Sequence, residues 1–205
     1  MKNIKLVAFD CDGVMFDTAD ANRFYYSDIL QHFGQPALTE EQFGFVHMHT
    51  VHESMAYLFP DENRLKAALA FRKTMGYGKY LSYYTLEPQL VRLLKKLRPQ
   101  IKTAVATNRT DTMDKLLAEF NLDGYFDLVV TSSDVKRPKP HPDALLKILD
   151  HFGLAPHQAI YIGDSKVDEL AAKAAKVPLA AYRNRDLMAD FYIDNLGELE
   201  QLLDL

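Results

Sequence analysis

The segment Ile4–Phe9 constrains this chain more than any other. It is a nearly continuous apolar run, the pattern of a strand buried on both faces, and it ends directly on Asp10-Cys11-Asp12-Gly13. Thr103–Ala106, Leu128–Thr131, Ala159–Ile162 and Leu179–Tyr182 read the same way. Helical periods lie between them. Met113, Leu116, Leu117 and Phe120 fall at i, i+3, i+4, i+7 after a cap at Thr110 or Asp111. Leu145, Ile148, Leu149 and Phe152 repeat the spacing, with Pro142 at the first helical position and Gly153 just past the end. Val167, Leu170, Ala171 and Ala174 do so again before Pro178. Strands that alternate with helices imply βαβ units and a parallel sheet.

Between Asp17 and Thr85 the alternation stops, and only helical patterns such as Tyr25, Ile29, Leu30, Phe33 remain. This third of the chain holds 13 of the 23 aromatic residues, enough for a small helical module with its own core. Its position straight after the first strand makes it an insertion, read as a lid over that strand's end. The expected division is therefore a core of residues 1–16 and 86–205 with an inserted helical unit at 17–85.

Composition narrows the function classes. The chain has 205 residues, 48% of them hydrophobic, which suffices for a core and excludes disordered and collagen-like architectures. A net charge of −4 argues against a nucleic-acid partner, which would demand clustered Lys and Arg. No apolar run approaches the roughly 18 residues of a membrane span. The N-terminal apolar stretch meets Asp10 too soon for a signal peptide. A single cysteine, Cys11, fits a reducing compartment, so the expected location is cytoplasmic. The expected assembly is a monomer or homodimer.

Ligands of open α/β sheets bind outside the carboxyl ends of the strands. The residues found there are Asp10-Cys11-Asp12-Gly13, Thr107-Asn108-Arg109 and Gly163-Asp164-Ser165, with Asp168 a helical turn on and Lys139 in a Pro-rich loop. In a parallel sheet these converge on one edge. Asp10 can take a phosphoryl group as an acyl phosphate, dividing one hard displacement into two easier ones. Asp12 can protonate the leaving oxygen and then deprotonate the hydrolytic water. Carboxylates this close repel each other and a phosphate dianion; Mg²⁺, which prefers oxygen ligands, resolves this, with Asp164 completing the set. Lys139 and the Thr107 hydroxyl can offset charge on the phosphoryl oxygens.

Asp10-Cys11-Asp12-Gly13-Val14, Thr107-Asn108, Lys139-Pro140-His141-Pro142-Asp143 and Gly163-Asp164-Ser165-Lys166-Val167-Asp168 resemble, in order and approximate separation, the four motifs of the haloacid dehalogenase superfamily. The insertion resembles the small α-helical cap of its phosphoglycolate phosphatase and β-phosphoglucomutase branch. The resemblance implies an α/β fold, a three-layer Rossmann-like core with a parallel sheet plus an inserted helical cap domain. It further implies Asp10 as nucleophile, Asp12 as acid/base, Mg²⁺ held by Asp10, the Asp12 backbone carbonyl and Asp164, and phosphate contacts from Thr107 and Lys139 with Asn108 nearby. The expected activity is Mg²⁺-dependent hydrolysis of a small phosphorylated metabolite.

Within that superfamily Asp12 points to a phosphoryl substrate, because displacing a halide needs no leaving-group proton. Phosphonate cleavage would need a lysine early in the cap, and none lies between Lys5 and Lys66. His52-Glu53-Ser54 stands where many relatives read Arg-Glu-Ser, which disfavours a phosphosugar mutase, since imidazole lacks the bidentate fork of guanidinium. Arg23, His47, His49 and His52 are the cap's candidate substrate contacts.

The same residues admit other readings. Val14 and Met15 break the calcium-loop pattern that Asp-x-Asp-Gly otherwise suggests. Asp164 and Ser165 can cap the following helix, and Asp168 reads equally as a helix-dipole carboxylate or a residue supporting the metal. Cys11 between two acids reads as a buried filler, and Gly76-Tyr77-Gly78-Lys79 as a turn. A receiver-like phosphoacceptor module shares the Asp, Thr and Lys set but has no use for an insertion of 69 residues.

Overall fold

The structure, a computed structural model, describes residues 3–76, 78–110 and 112–205. Its strands are β1 (Leu6–Phe9), β2 (Phe16–Asp17), β3 (Thr85–Leu86), β4 (Lys102–Ala106), β5 (Leu128–Val130), β6 (Ala159–Gly163), β7 (Leu179–Tyr182) and β8 (Phe191–Ile193). The helices are α1 (Ala19–His32), α2 (Glu40–Met48), α3 (Val51–Leu58), α4 (Glu62–Met75), α5 (Leu90–Leu97), α6 (Met113–Glu119), α7 (Asp143–Phe152), α8 (Lys166–Ala175) and α9 (Glu198–Leu202).

Two compact units result: Met1–Phe16 with Leu86–Leu205, and Asp17–Thr85. The first contains a six-stranded sheet in the order β5-β4-β1-β6-β7-β8, parallel throughout. A central β1 must be apolar on both sides, and its four residues are all buried. On one face Leu6, Ala8, Ala104, Ala106 and Tyr161 pack with Leu145, Ile148 and Leu149 of α7 and Ala171, Ala172 and Ala175 of α8. The alanines let those helices lie close to the sheet, and truncating a buried leucine of this layer costs about 2–5 kcal/mol. On the other face Val7, Phe9, Val105 and Ile160 are fully buried, and α5 packs on β4 through a stripe of buried leucines.

Three local features differ from the sequence expectation. Thr112 stands at the N-cap of α6 without a side-chain cap bond, whereas Thr110 or Asp111 was expected; Asp111 lies outside the described residues. Pro142 is the N-cap of α7, one position ahead of the expected first turn, and Gly153 closes it in the left-handed conformation at φ 62°. The sixth strand, β8, was not anticipated, because a three-residue edge strand with one buried side chain carries almost no periodicity.

The inserted unit holds α1–α4. Two of its helix starts are fixed by reciprocal caps: Thr39 with Gln42, and Thr50 with Glu53. Its core is aromatic, with Tyr25, Tyr26, Phe59 and Tyr80 buried and Tyr25 edge-on to Tyr26 and Tyr80. Tyr77 of the Gly76–Lys79 segment lies outside the described residues. Among the described residues no helix is long and apolar enough to cross a membrane.

Candidate active site

Strand register builds the site. Phe9 pairs with both Val105 and Ile162, so the chain continues beyond β1 with Asp10 level with Ala106 and Gly163. Asp10 N donates to Ile162 O at 2.9 Å and Thr107 N to Val130 O at 3.0 Å, extending the ladders to the edge where the polar residues begin.

Asp10, Asp164 and Asp168 each present a carboxylate oxygen, all within 4.8 Å of one another. Lys139 lies among them, 2% exposed. Its ammonium donates to Asp10 Oδ1 at 2.8 Å, to Asp168 Oδ1 at 2.6 Å and to the Tyr161 hydroxyl at 2.9 Å, three acceptors for three N–H bonds. Tyr161 in turn donates to Asp168 Oδ1 at 2.7 Å, with Ala106 O 3.1 Å away. The second Asp168 oxygen caps α8, accepting from Ser165 N at 3.1 Å and Ser165 Oγ at 2.5 Å. Asn108 locks the lysine's backbone: its Nδ2 donates to Lys139 O at 3.0 Å while Lys139 N donates to Asn108 Oδ1 at 2.9 Å.

Charges follow this geometry. Burial pushes the Asp10 carboxyl up to about 7, against the opposing pull of Lys139 and with Asp168 adding to the rise. Burial, then Asp168 and Asp10, push Asp164 well above the usual carboxylate range. Burial also acts to raise Asp168, but the Lys139 ammonium and the hydrogen bonds from Lys139, Ser165 and Tyr161 outweigh it and hold this group below the usual range. With all three carboxylates ionised, one ammonium would leave two negative charges for a cation to balance, and burial with mutual repulsion is why Asp10 and Asp164 hold their protons without one. An oxygen-only set with that residual charge fits Mg²⁺. The chain keeps the cluster tight with glycine: Gly13 stands at φ +81°, and a Cβ there would fall 2.0 Å from Asp164 Oδ2.

Asp12 pairs with a second cation. Arg109 grips it with both prongs, Nε to Oδ2 at 2.7 Å and Nη2 to Oδ1 at 2.6 Å. Thr107 is buried, and its Oγ1 accepts from Arg109 N at 3.1 Å. Buried Cys11 has its thiol pushed well up by burial, which keeps it protonated.

Three residues in this neighbourhood were not singled out as site residues from sequence. Arg109 follows the Thr107-Asn108 pair and could have been found by asking which cation faces Asp12. Tyr161 looked like one more apolar strand residue. Asn184, whose Nδ2 donates to Asp164 O at 2.7 Å, lies 20 residues from its partner and leaves no local signal.

In the inserted unit, Arg23 forks onto Glu40 at 2.9 and 3.0 Å and lies 4.0 Å over the Phe43 ring. Asn22 Nδ2 lies 2.9 Å from His47 Nδ1, and the His47 ring stacks on Phe43. His49 stacks on Phe45 at 3.9 Å with its Nδ1 2.9 Å from Phe45 O. His52 lies in the first turn of α3. These four therefore share one unit, with Arg23 and His49 committed to neighbours inside it.

Residues 7–182 match the haloacid dehalogenase-like hydrolase family. A phosphoglycolate phosphatase of Shigella boydii is 30% identical over 86% of this chain and 80% of its own length. A protein of Caldanaerobacter subterraneus, named provisionally as a pyrophosphatase, is 28% identical over 98% of this chain and 94% of its own. The crystal structure of a HAD-superfamily hydrolase, subfamily IA, variant 1, from Geobacter sulfurreducens superposes with a TM-score of 0.80 at 38% identity, covering 98% of this chain and 97% of that one. The carboxylate-lined edge of a six-stranded parallel sheet thus sits in a chain that belongs to the haloacid dehalogenase-like hydrolase family, in its phosphoglycolate phosphatase-like branch.

Proposed function

We propose that this phosphoric monoester hydrolase works in the cytoplasm on a small phosphorylated metabolite, through an aspartyl-phosphate on Asp10 and with Mg²⁺. The observation that carries the reading is the carboxylate cluster itself: Asp10 at the end of β1, beside Lys139 and within 4.8 Å of Asp164 and Asp168. Asp10, the Asp12 carbonyl and Asp164 would hold the cation, which when bound supplies charge neutralisation between carboxylates and phosphoryl oxygens.

The chain's own residues do the rest. An Asp10 carboxylate oxygen attacks phosphorus, and the ester P–O bond breaks as Asp12 gives its proton to the departing alkoxide. Lys139 hands its Asp10 contact to a phosphoryl oxygen, and the Thr107 side chain meets another. Water then attacks the phosphorus of the acyl phosphate, giving its proton to Asp12 and releasing inorganic phosphate and free Asp10. The inserted helical unit serves as the cap that selects the alcohol portion, with Arg23, His47, His49 and His52 as its candidate contacts. Phosphoglycolate heads the substrate candidates because relatives at 30% identity carry that activity in their names.

The test is phosphate release from 2-phosphoglycolate, sugar phosphates and inorganic pyrophosphate, with Mg²⁺ and with EDTA, using Asp10→Asn as control. Mg²⁺-dependent release that disappears in the variant supports the mechanism; release unaffected by the substitution overturns it.

A further inference from the structure

The Arg109–Asp12 pair joins residues 97 positions apart, at 7% and 17% side-chain exposure, and the phosphatase chemistry as set out above leaves Arg109 without a task. Its surroundings hold it on every side. Nη1 donates to Thr112 Oγ1 at 3.0 Å, Arg109 N donates to Thr107 Oγ1 at 3.1 Å, and Arg109 O accepts from Ser132 N at 2.9 Å and Ser132 Oγ at 3.0 Å. A bidentate guanidinium fixes the plane of a carboxylate, not merely its distance. A carboxylate offers about four lone-pair sites, so a fork that takes one on each oxygen orients the group without exhausting it.

We infer that Arg109 is the positioning residue for Asp12: its fork, braced by Thr112, fixes the plane and reach of the acid/base carboxylate in both half-reactions. This rests on the reading of Asp12 as the acid and base. Proton transfer requires the donor oxygen within hydrogen-bond reach of the leaving group, and a misplacement of about 1 Å can cost about a hundredfold. Lysine would not replace it, because an ammonium is a point charge without a fork.

Leaving-group dependence separates this role from a structural one. Nitrophenolate departs without a proton, whereas an alkoxide needs one, and kcat/KM reports only steps through leaving-group departure. Steady-state kinetics of Arg109→Gln, Arg109→Lys, Thr112→Val and Asp12→Asn would be compared on p-nitrophenyl phosphate and on 2-phosphoglycolate. Arg109→Gln is expected to lower kcat/KM about tenfold to a hundredfold on the alkyl ester and less than about threefold on the aryl ester, as loss of a transition-state interaction specific to one of them. Its kcat falls on both, because the second half-reaction also uses Asp12. Arg109→Lys should resemble Arg109→Gln, and Thr112→Val should give the same pattern more weakly, which keeps the test available if the arginine variants unfold. Equal losses on the two esters, no loss, or a gain on the alkyl ester overturns the inference. If Asp12→Asn itself fails to discriminate the esters, the acid reading falls and takes the inference with it; discrimination in Asp12→Asn but not in Arg109→Gln overturns the inference alone.

Discussion

Lys139 Nζ lies 2.6 Å from Asp168 Oδ1 and 2.8 Å from Asp10 Oδ1, so one buried ammonium ties the carboxylate at the end of β1 to the one that caps α8. A charge with 2% exposure can be held there only by full compensation, which two carboxylates and the Tyr161 hydroxyl provide.

Lys139→Met therefore leaves Asp10 and Asp168 buried without their cation. It is expected to cost about 3–5 kcal/mol in urea denaturation and to abolish turnover. A stability equal to that of the parent protein would show that the ammonium is not what holds the two acids.

Asp10→Asn removes the proposed nucleophile and one of the like charges. Phosphate release should fall by at least about a thousandfold, while the melting temperature in EDTA stays level or rises because repulsion with Asp164 and Asp168 is relieved. Circular dichroism and a malachite-green assay together check both halves.

At Gly13 no side chain can be accommodated without moving Asp164, since the added Cβ would sit 2.0 Å from its Oδ2 and φ is +81°. Gly13→Ala is expected to lose the Mg²⁺-induced thermal shift along with activity. A shift of parental size would mean that Asp164 is not a cation ligand.

Protons and the cation compete for the same carboxyls. The Asp10 carboxyl is raised by burial from 3.8 to about 7, so between those values the metal-free folded chain keeps a proton that the unfolded chain has released. The stability of the metal-free protein therefore falls as pH rises through that window, and Asp164, raised in the same direction, adds to the fall. Mg²⁺ needs both groups ionised, so its stabilisation should grow from pH 5 to pH 8, each kcal/mol appearing as about 2–4 °C in scanning calorimetry. A thermal shift that shrinks with rising pH would refute this linkage.

Asn184 holds the Asp164 carbonyl from the loop after β7. Asn184→Ala should weaken Mg²⁺ binding by about tenfold with little change in metal-free stability, as loss of a group that orients a ligand does. Isothermal titration with Mg²⁺ on the purified variant measures it.

The parallel α/β core was legible in the residues, because apolar runs buried on both faces followed by 3.6-residue periods admit few other packings, and so were the strand ends that carry Asp10, Asp12, Thr107, Asn108 and Asp164 and the Pro-rich loop that carries Lys139. Some chemistry between chain neighbours was legible, as at Gly153 closing α7, whereas the starts of α6 and α7 fell a position or more from those expected, because several adjacent residues can serve as a cap. The three-residue edge strand β8 was not, since so short a segment gains its hydrogen bonds only from β7. The partners of these acids came from the fold alone: the Asp12 carboxylate goes to Arg109 across 97 positions, that of Asp168 is shared between Lys139 and Ser165, and Asn184 takes the Asp164 backbone carbonyl. The reason is physical. Hydrophobic periodicity is written along the chain, whereas a buried charge is satisfied by whichever donor the folded sheet brings within about 3 Å, and sequence separation says nothing of that distance.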